Sequence, residues 1–313
     1  MTEIHTPEPD PHASVYDEAL LGSDASHWAF GTSFEDPLAG VDTTIPEGAD
    51  PSDLAAYCLM LGDDALIYSN RLSQWCSRAP DLEEDIALAN IALDLLGQAR
   101  LLLARAAAAD PSVVPVLPEG SPVPAEDALA FFRDDAAMRN VRLVEPDNGD
   151  FAETIVRLLV FSTWRLALLE RLVTSRDAVL AAIAAKGVKE MTYHRDYAGR
   201  WFLTLAQGTE GSRRRLLTAL PRVLGFHDEL FVDHPVETVV ADQRAGVAPS
   251  AVAAEVGVVL DQVFSVSGVD RPDVPQVGRV NGGAGRDGRH TEALSLMLAE
   301  MQSVARAHPM GRW

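Results

Sequence analysis

From residue 53 to residue 208, apolar residues return every three or four positions in four long blocks, the period of helices that bury one face. In DLAAYCLMLGDDALIYSNRLSQWCS (53–77), Leu54, Tyr57, Cys58, Leu61, Ala65, Tyr68, Leu72 and Trp75 share that spacing. Asp53 is the expected N-cap, and Ala79-Pro80 the expected stop, since proline disfavours helix in the residue before it. Asp81 caps the second block, with Glu83, Glu84 and Asp85 in the first turn, opposite the positive end of the helix dipole. That block runs to about residue 109 and is apolar nearly all round, which predicts a buried central helix. Asp150 caps a third block at 151–175, and the fourth spans 177–208.

The remaining segments are shorter. DPSVVPVLPEGSPVP (110–124) is a Pro-rich link, and EDALAFFRDDAAMRNVRL reads as one short helix. Gly208-Thr209-Glu210-Gly211 interrupts the chain before a helix at 212–224. Residues 231–283 mix short helical and extended pieces, and a last helix covers about 290–307. The alternation of a half-buried strand is absent. Two pairs of long helices with a longer link between the pairs predict an all-α fold: a ferritin-like four-helix bundle with one long crossover and additional short helices, occupying residues 51–313.

Composition changes the picture mainly at the N-terminus. Residues 1–50 contain no Lys or Arg and many acidic residues, Pro, Gly and Ser; the first basic residue of the chain is Arg71. This predicts a disordered acidic tail, in which Trp28, Phe30 and Phe34 are available for docking. The formal charge of -20 argues against nucleic acid or an anionic membrane as partner. Cys58 and Cys76 have neither CxxC nor zinc spacing and are expected to stay free. A basic n-region followed by an apolar run is missing, as is any uncharged stretch of the ~20 residues a membrane helix needs; the expected location is the cytoplasm.

Candidate chemistry centres on VKEMTYHRDYAGRW (188–201), where Glu190 and His194 stand four apart on one helical face. The second long helix offers Asn90, Asp94 and Gln98 at intervals of four. The first offers Asp63 and Asp64, and the third Glu153 and Glu170 near its ends. Carboxylate-bridged metal bundles take a Glu from each of two helices and Glu-x-x-His from each of the others, and that motif is absent. Two readings stay open. One is a metal site built from Asp64, Asp94, Glu190 and His194. The other is a buried polar network of Asp64, Asn90, Asp94, Gln98, Glu190 and His194 that fixes helix register. His227, His234, His290 and His308 have no partner at ligand spacing. GxSxG, GxxxxGK[ST] and HExxH are absent, and GRVNGGAGRDGRH (278–290) reads as a flexible surface loop.

Four blocks together carry a resemblance: YCLMLGDDALIYSNRLSQWC, APDLEEDIALANIALDLLGQARLLL, KEMTYHRDYAGRWFLTLAQGTEGSRRRL and GRHTEALSLMLAEMQSVARAHPMGRW. They resemble the PaaC subunit family of ring-1,2-phenylacetyl-CoA epoxidase, from about residue 54 to Trp313. The acidic tail and the insertion VVPVLPEGSPVPA depart from it. The resemblance implies a cytoplasmic, non-catalytic structural subunit in phenylacetate catabolism. Its catalytic sister, PaaA, holds a di-iron centre, and a reductase with flavin and an iron-sulfur cluster supplies electrons from NADPH. It implies no cofactor in this chain. By the sister's pattern the vestigial ligand positions are Ala65, Leu95, Gln98, Ser162, Met191 and His194, with Leu95 and Met191 filling the space of the metal. Acyl-CoA near the interface would meet Arg213, Arg214 and Arg215, or Arg286 and Arg289. The alternative is a metal-dependent oxygenase with its own degenerate carboxylate/His site.

Overall fold

The computed structural model describes residue 38 and residues 40–311, which form ten α-helices and no strand. The bundle helices are α1 (Pro51–Ser73), α2 (Leu82–Ala109), α4 (Phe151–Leu172) and α5 (Ala178–Gln207). Between the pairs lies α3 (Ala125–Phe131), and after them come α6 (Glu210–Leu224), α7 (Pro235–Asp242), α8 (Ala253–Ser267), α9 (Glu292–Met301) and α10 (Ser303–Ala307). The most extensive packing is α1 on α2 and α4 on α5, and α2 on α5 joins the two hairpins. The crossover runs from Asp110 to Asp150, so the chain is the expected all-α, ferritin-like bundle.

Local chemistry sets the helix starts. Asp81, Asp150 and Asp177 each accept a backbone N–H three residues on, at 2.9–3.1 Å. The first cap is Asp50 rather than Asp53: its carboxylate accepts Ser52 N at 2.8 Å and Asp53 N at 3.3 Å, with Pro51 opening the helix. α1 also ends before Ala79-Pro80. Backbone bonds tighten to i→i+3 over residues 74–76, and Ser77 turns the chain at φ +66°. The segment read as one helix at 126–143 breaks after α3 into two 3₁₀ turns, Asp135–Ala137 and Arg142–Val144. Its Arg133 points inward to Asp63, which also accepts Arg139 N at 2.8 Å. A buried carboxylate thus pulls the chain out of helical register.

The central helices are not the ones that composition suggests. α1 buries 17 of its 23 residues and α4 19 of 22, whereas α2 buries 12 of 28. The crossover and the C-terminal segments cover the outer face of α1: Arg133 binds Asp63, Arg286 binds Asp64, and Tyr57 contacts the backbone of Val247. The apolar outer face of α2 has no such cover.

Most of the expected tail, through residue 37, lies outside the described residues. Residues 41–50 are tied down: Thr43 O accepts Arg105 at 2.7 Å and Glu47 O accepts Arg176 at 3.2 Å. Arg105 also pairs with Asp177, joining α2 to the cap of α5. Both cysteines are free; Cys58 is buried and Cys76 is exposed. The Gly-rich segment at 278–290 is not a loose loop, because residues 283–286 and Gly288 are buried.

Candidate functional site

A chain of polar groups crosses the bundle where α2, α4 and α5 meet. Arg165 donates from Nε to Gln98 Oε1 (2.9 Å) and from Nη1 to Leu61 O (3.1 Å). Gln98 donates to Glu190 Oε2 (2.8 Å), and Lys186 donates to Glu190 Oε1 (2.6 Å). One turn along α5, His194 Nε2 meets Asp94 Oδ2 at 2.9 Å. The His194 ring is fully buried, and its Nδ1 has no partner. Burial pushes the Arg165 guanidinium down to about 10, opposed by the charges of Asp64 and Glu190. Gly187 makes room for the crossing: a Cβ there would lie 2.8 Å from Leu169 and 3.5 Å from the Gln98 amide.

The six residues of the expected network separate into two places. Gln98, Glu190, His194 and Asp94 line the crossing. Asp64 belongs elsewhere: it accepts Val141 N (2.8 Å) and both terminal nitrogens of Arg286 (3.0 and 2.9 Å). Asn90 is exposed and joins neither. The reason is helical drift. At 3.6 residues per turn a step of four rotates about 40° past a full turn, so the row Asn90, Asp94, Gln98 winds from surface to core. Asn90 is exposed, Asp94 half-exposed and Gln98 buried.

Of the vestigial positions, Ala65, Leu95, Ser162 and Met191 are fully buried, and Ser162 Oγ donates to Leu158 O within its own helix (2.6 Å). Sequence reading missed Arg165 and Lys186. The signal for Arg165 was present: a single arginine in LLVFSTWRLALL sits amid apolar residues, and such a group is buried only with partners. Of the arginines considered for acyl-CoA, Arg286 is buried against Asp64 and Glu237 and has no free face. Arg213 is engaged by Ala206 O and Gly268 O, while Arg214, Arg215 and Arg289 are exposed.

The donor set does not fit a di-iron centre. Gln98 is a neutral amide whose oxygen is taken by a guanidinium, and Glu190 is held by an ammonium. Arg165 and Lys186 place two positive charges where bridging carboxylates would have to balance two metal ions. Among the described residues no group of three or more His, Cys, Asp or Glu is arranged to hold a metal.

The family model that matches residues 41–313 is PaaA_PaaC, described as phenylacetic acid catabolic protein. The chain belongs to this family. A curated member, the C-type subunit of the 1,2-phenylacetyl-CoA epoxidase of Escherichia coli (strain K12), is 40% identical over 262 residues, covering 84% of this chain and all of that protein. The resemblance read from four sequence blocks is therefore the family found. The phenylacetic acid catabolic family match begins at residue 41, where the described loop starts to pack on Arg105 and Arg176.

The crossing makes a direct stability prediction. Gln98→Leu leaves the buried Arg165 Nε without an acceptor and removes one donor from Glu190. A loss of about 2–3 kcal/mol is expected in urea unfolding. A loss under about 0.5 kcal/mol would show that water replaces the amide and that the crossing does not hold the helices.

Proposed function

We propose that the chain is a non-catalytic structural subunit of a multicomponent oxygenase that epoxidises the ring of phenylacetyl-CoA, and that it binds and stabilises a di-iron catalytic subunit. The observation that carries this reading is the Arg165–Gln98–Glu190–Lys186 crossing, which fills the mid-bundle with protein cations. The curated relative supports the reaction and the subunit role by its name. On this reading the chain carries no cofactor. The iron belongs to the partner, and electrons from NADPH reach it through a separate reductase, all in the cytoplasm.

The test is elemental analysis of iron beside phenylacetyl-CoA turnover, on the chain alone and co-purified with the A-type member of its family. The expected result is no iron above background in the isolated chain and turnover only in the complex. Two irons per isolated chain, the complement of a carboxylate bundle, lost on His194→Ala or Glu190→Ala, would overturn the reading and make this chain a catalyst.

A further inference from the structure

α2 is long and apolar enough, by length and composition, to cross a membrane, yet less than half of its most apolar window is buried. The unburied part is ordered. Leu82, Ile86, Leu93 and Leu96 are 69, 54, 51 and 43% exposed. At 100° per residue these positions, with Ala89 between them, fall within a sector of about 80°, a single stripe about 21 Å long. On α5, Tyr193 is 49% exposed and precedes the His194 that binds Asp94 beside Leu93. Scattered exposed leucines need no explanation; an aligned row on the least covered helix of a bundle does.

We propose that this α2 stripe, flanked by Tyr193, is the core of the interface with the catalytic subunit, and that its occupant is another chain of the same helical family rather than a second copy. The proposal rests on the subunit reading above. Three observations favour the occupant. The family label joins A and C types under one model, so a partner with the same bundle has a helix to lay along this one. Charge is graded along the stripe. Its start carries Asp81, Glu83, Glu84 and Asp85, while Arg100, Lys186 and Lys189 lie at its far end. Lys186 and Lys189 are the two lysines of the chain, and Lys186 Nζ lies beside Gly97. A related helix packed antiparallel meets each charged end with its opposite. A second copy would meet the same pattern but bring together two chains of charge -20. The stripe covers only about 200 Å², against about 800 Å² per partner in a stable interface, so it forms the apolar centre and the surrounding polar surface the rim.

Sedimentation velocity with the A-type family member tests this. Leu93→Asp with Leu96→Asp is expected to weaken the complex at least about 100-fold, with Ile86→Glu alone acting in the same direction. The urea midpoint and circular dichroism of the isolated variants should match the wild type. The matched control, Val258→Asp with Val266→Asp on the exposed side of α8, should leave binding unchanged. An unweakened complex with the stripe variants overturns the interface but not the subunit reading. Absence of any complex with the wild-type chain overturns both. A wild-type dimer that the stripe variant abolishes would assign the stripe to a second copy. Stripe-dependent pelleting with phosphatidylglycerol vesicles would assign it to lipid. Either result overturns the proposal.

Discussion

Asp64→Asn is expected to lower stability by about 3–5 kcal/mol, the cost of breaking a fully buried ion pair from one side. Asp64 is inaccessible to solvent and satisfies three donors: Val141 N and both terminal nitrogens of Arg286. Burial alone would make the Arg286 guanidinium less basic. The charges of Asp64 and Glu237 outweigh it and hold Arg286 above its ordinary range. An asparagine of the same shape removes the charge and turns an NH₂ group toward an N–H donor. Glu237, 3.3 Å from Arg286 Nε, keeps part of the compensation, which places the loss toward the lower end of the range. Urea unfolding with a matched m-value measures it. Adding Arg286→Met should restore part of the loss, because the uncompensated charge leaves with its partner. A loss near that of a surface pair, under about 1 kcal/mol, would show that Arg286 reaches water when Asp64 is neutral.

The helical period, the caps at Asp81 and Asp150 and the crossover were legible because each rests on local chemistry. What failed was any inference that needed to know which face meets which segment. α2 is apolar all round, and from sequence that describes a buried helix equally well as one awaiting a partner. α1 carries Asp63 and Asp64 yet is the buried one, since arginines far along the chain, Arg133 and Arg286, neutralise them. No local pattern announces a pairing separated by 222 residues. At the candidate site, the alignment of Gln98, Glu190 and His194 was legible from their spacing. The role of Arg165 was not, because a search for metal ligands looks for carboxylates and imidazoles and passes over the cation. Asn90 was misplaced by treating four residues as one full turn; the drift of each step accumulates to about 80° over the row.

The glycine-rich segment carries the second large effect. Gly285→Ala is expected to cost about 3 kcal/mol or more, although its φ lies outside the left-handed region and the backbone accepts alanine. The cost is steric. A Cβ at Gly285 would lie 2.1 Å from Asn140 O and 3.2 Å from Arg142 N, both backbone atoms. The Asn140 carbonyl cannot retreat cheaply. Val141 N is bound to Asp64, Arg139 N to Asp63, and Arg139 O to Arg286. The methyl group therefore pushes on the segment that seats the buried ion pair, beyond the 1–3 kcal/mol of ordinary overpacking. Two controls in the same segment separate the causes. Gly282→Ala, at φ +81° with open space around it, should lose only the 1–2 kcal/mol of left-handed strain. Gly278→Ala, with neither strain nor a neighbour, should stay within about 0.5 kcal/mol of wild type. Because Gly285 and Asp64 hold the same guanidinium from two sides, the double variant should lose at least about 1 kcal/mol less than the sum of the single losses. Strict additivity would mean that Arg286 keeps its seat when Gly285 is filled, and that the close approach serves backbone packing alone.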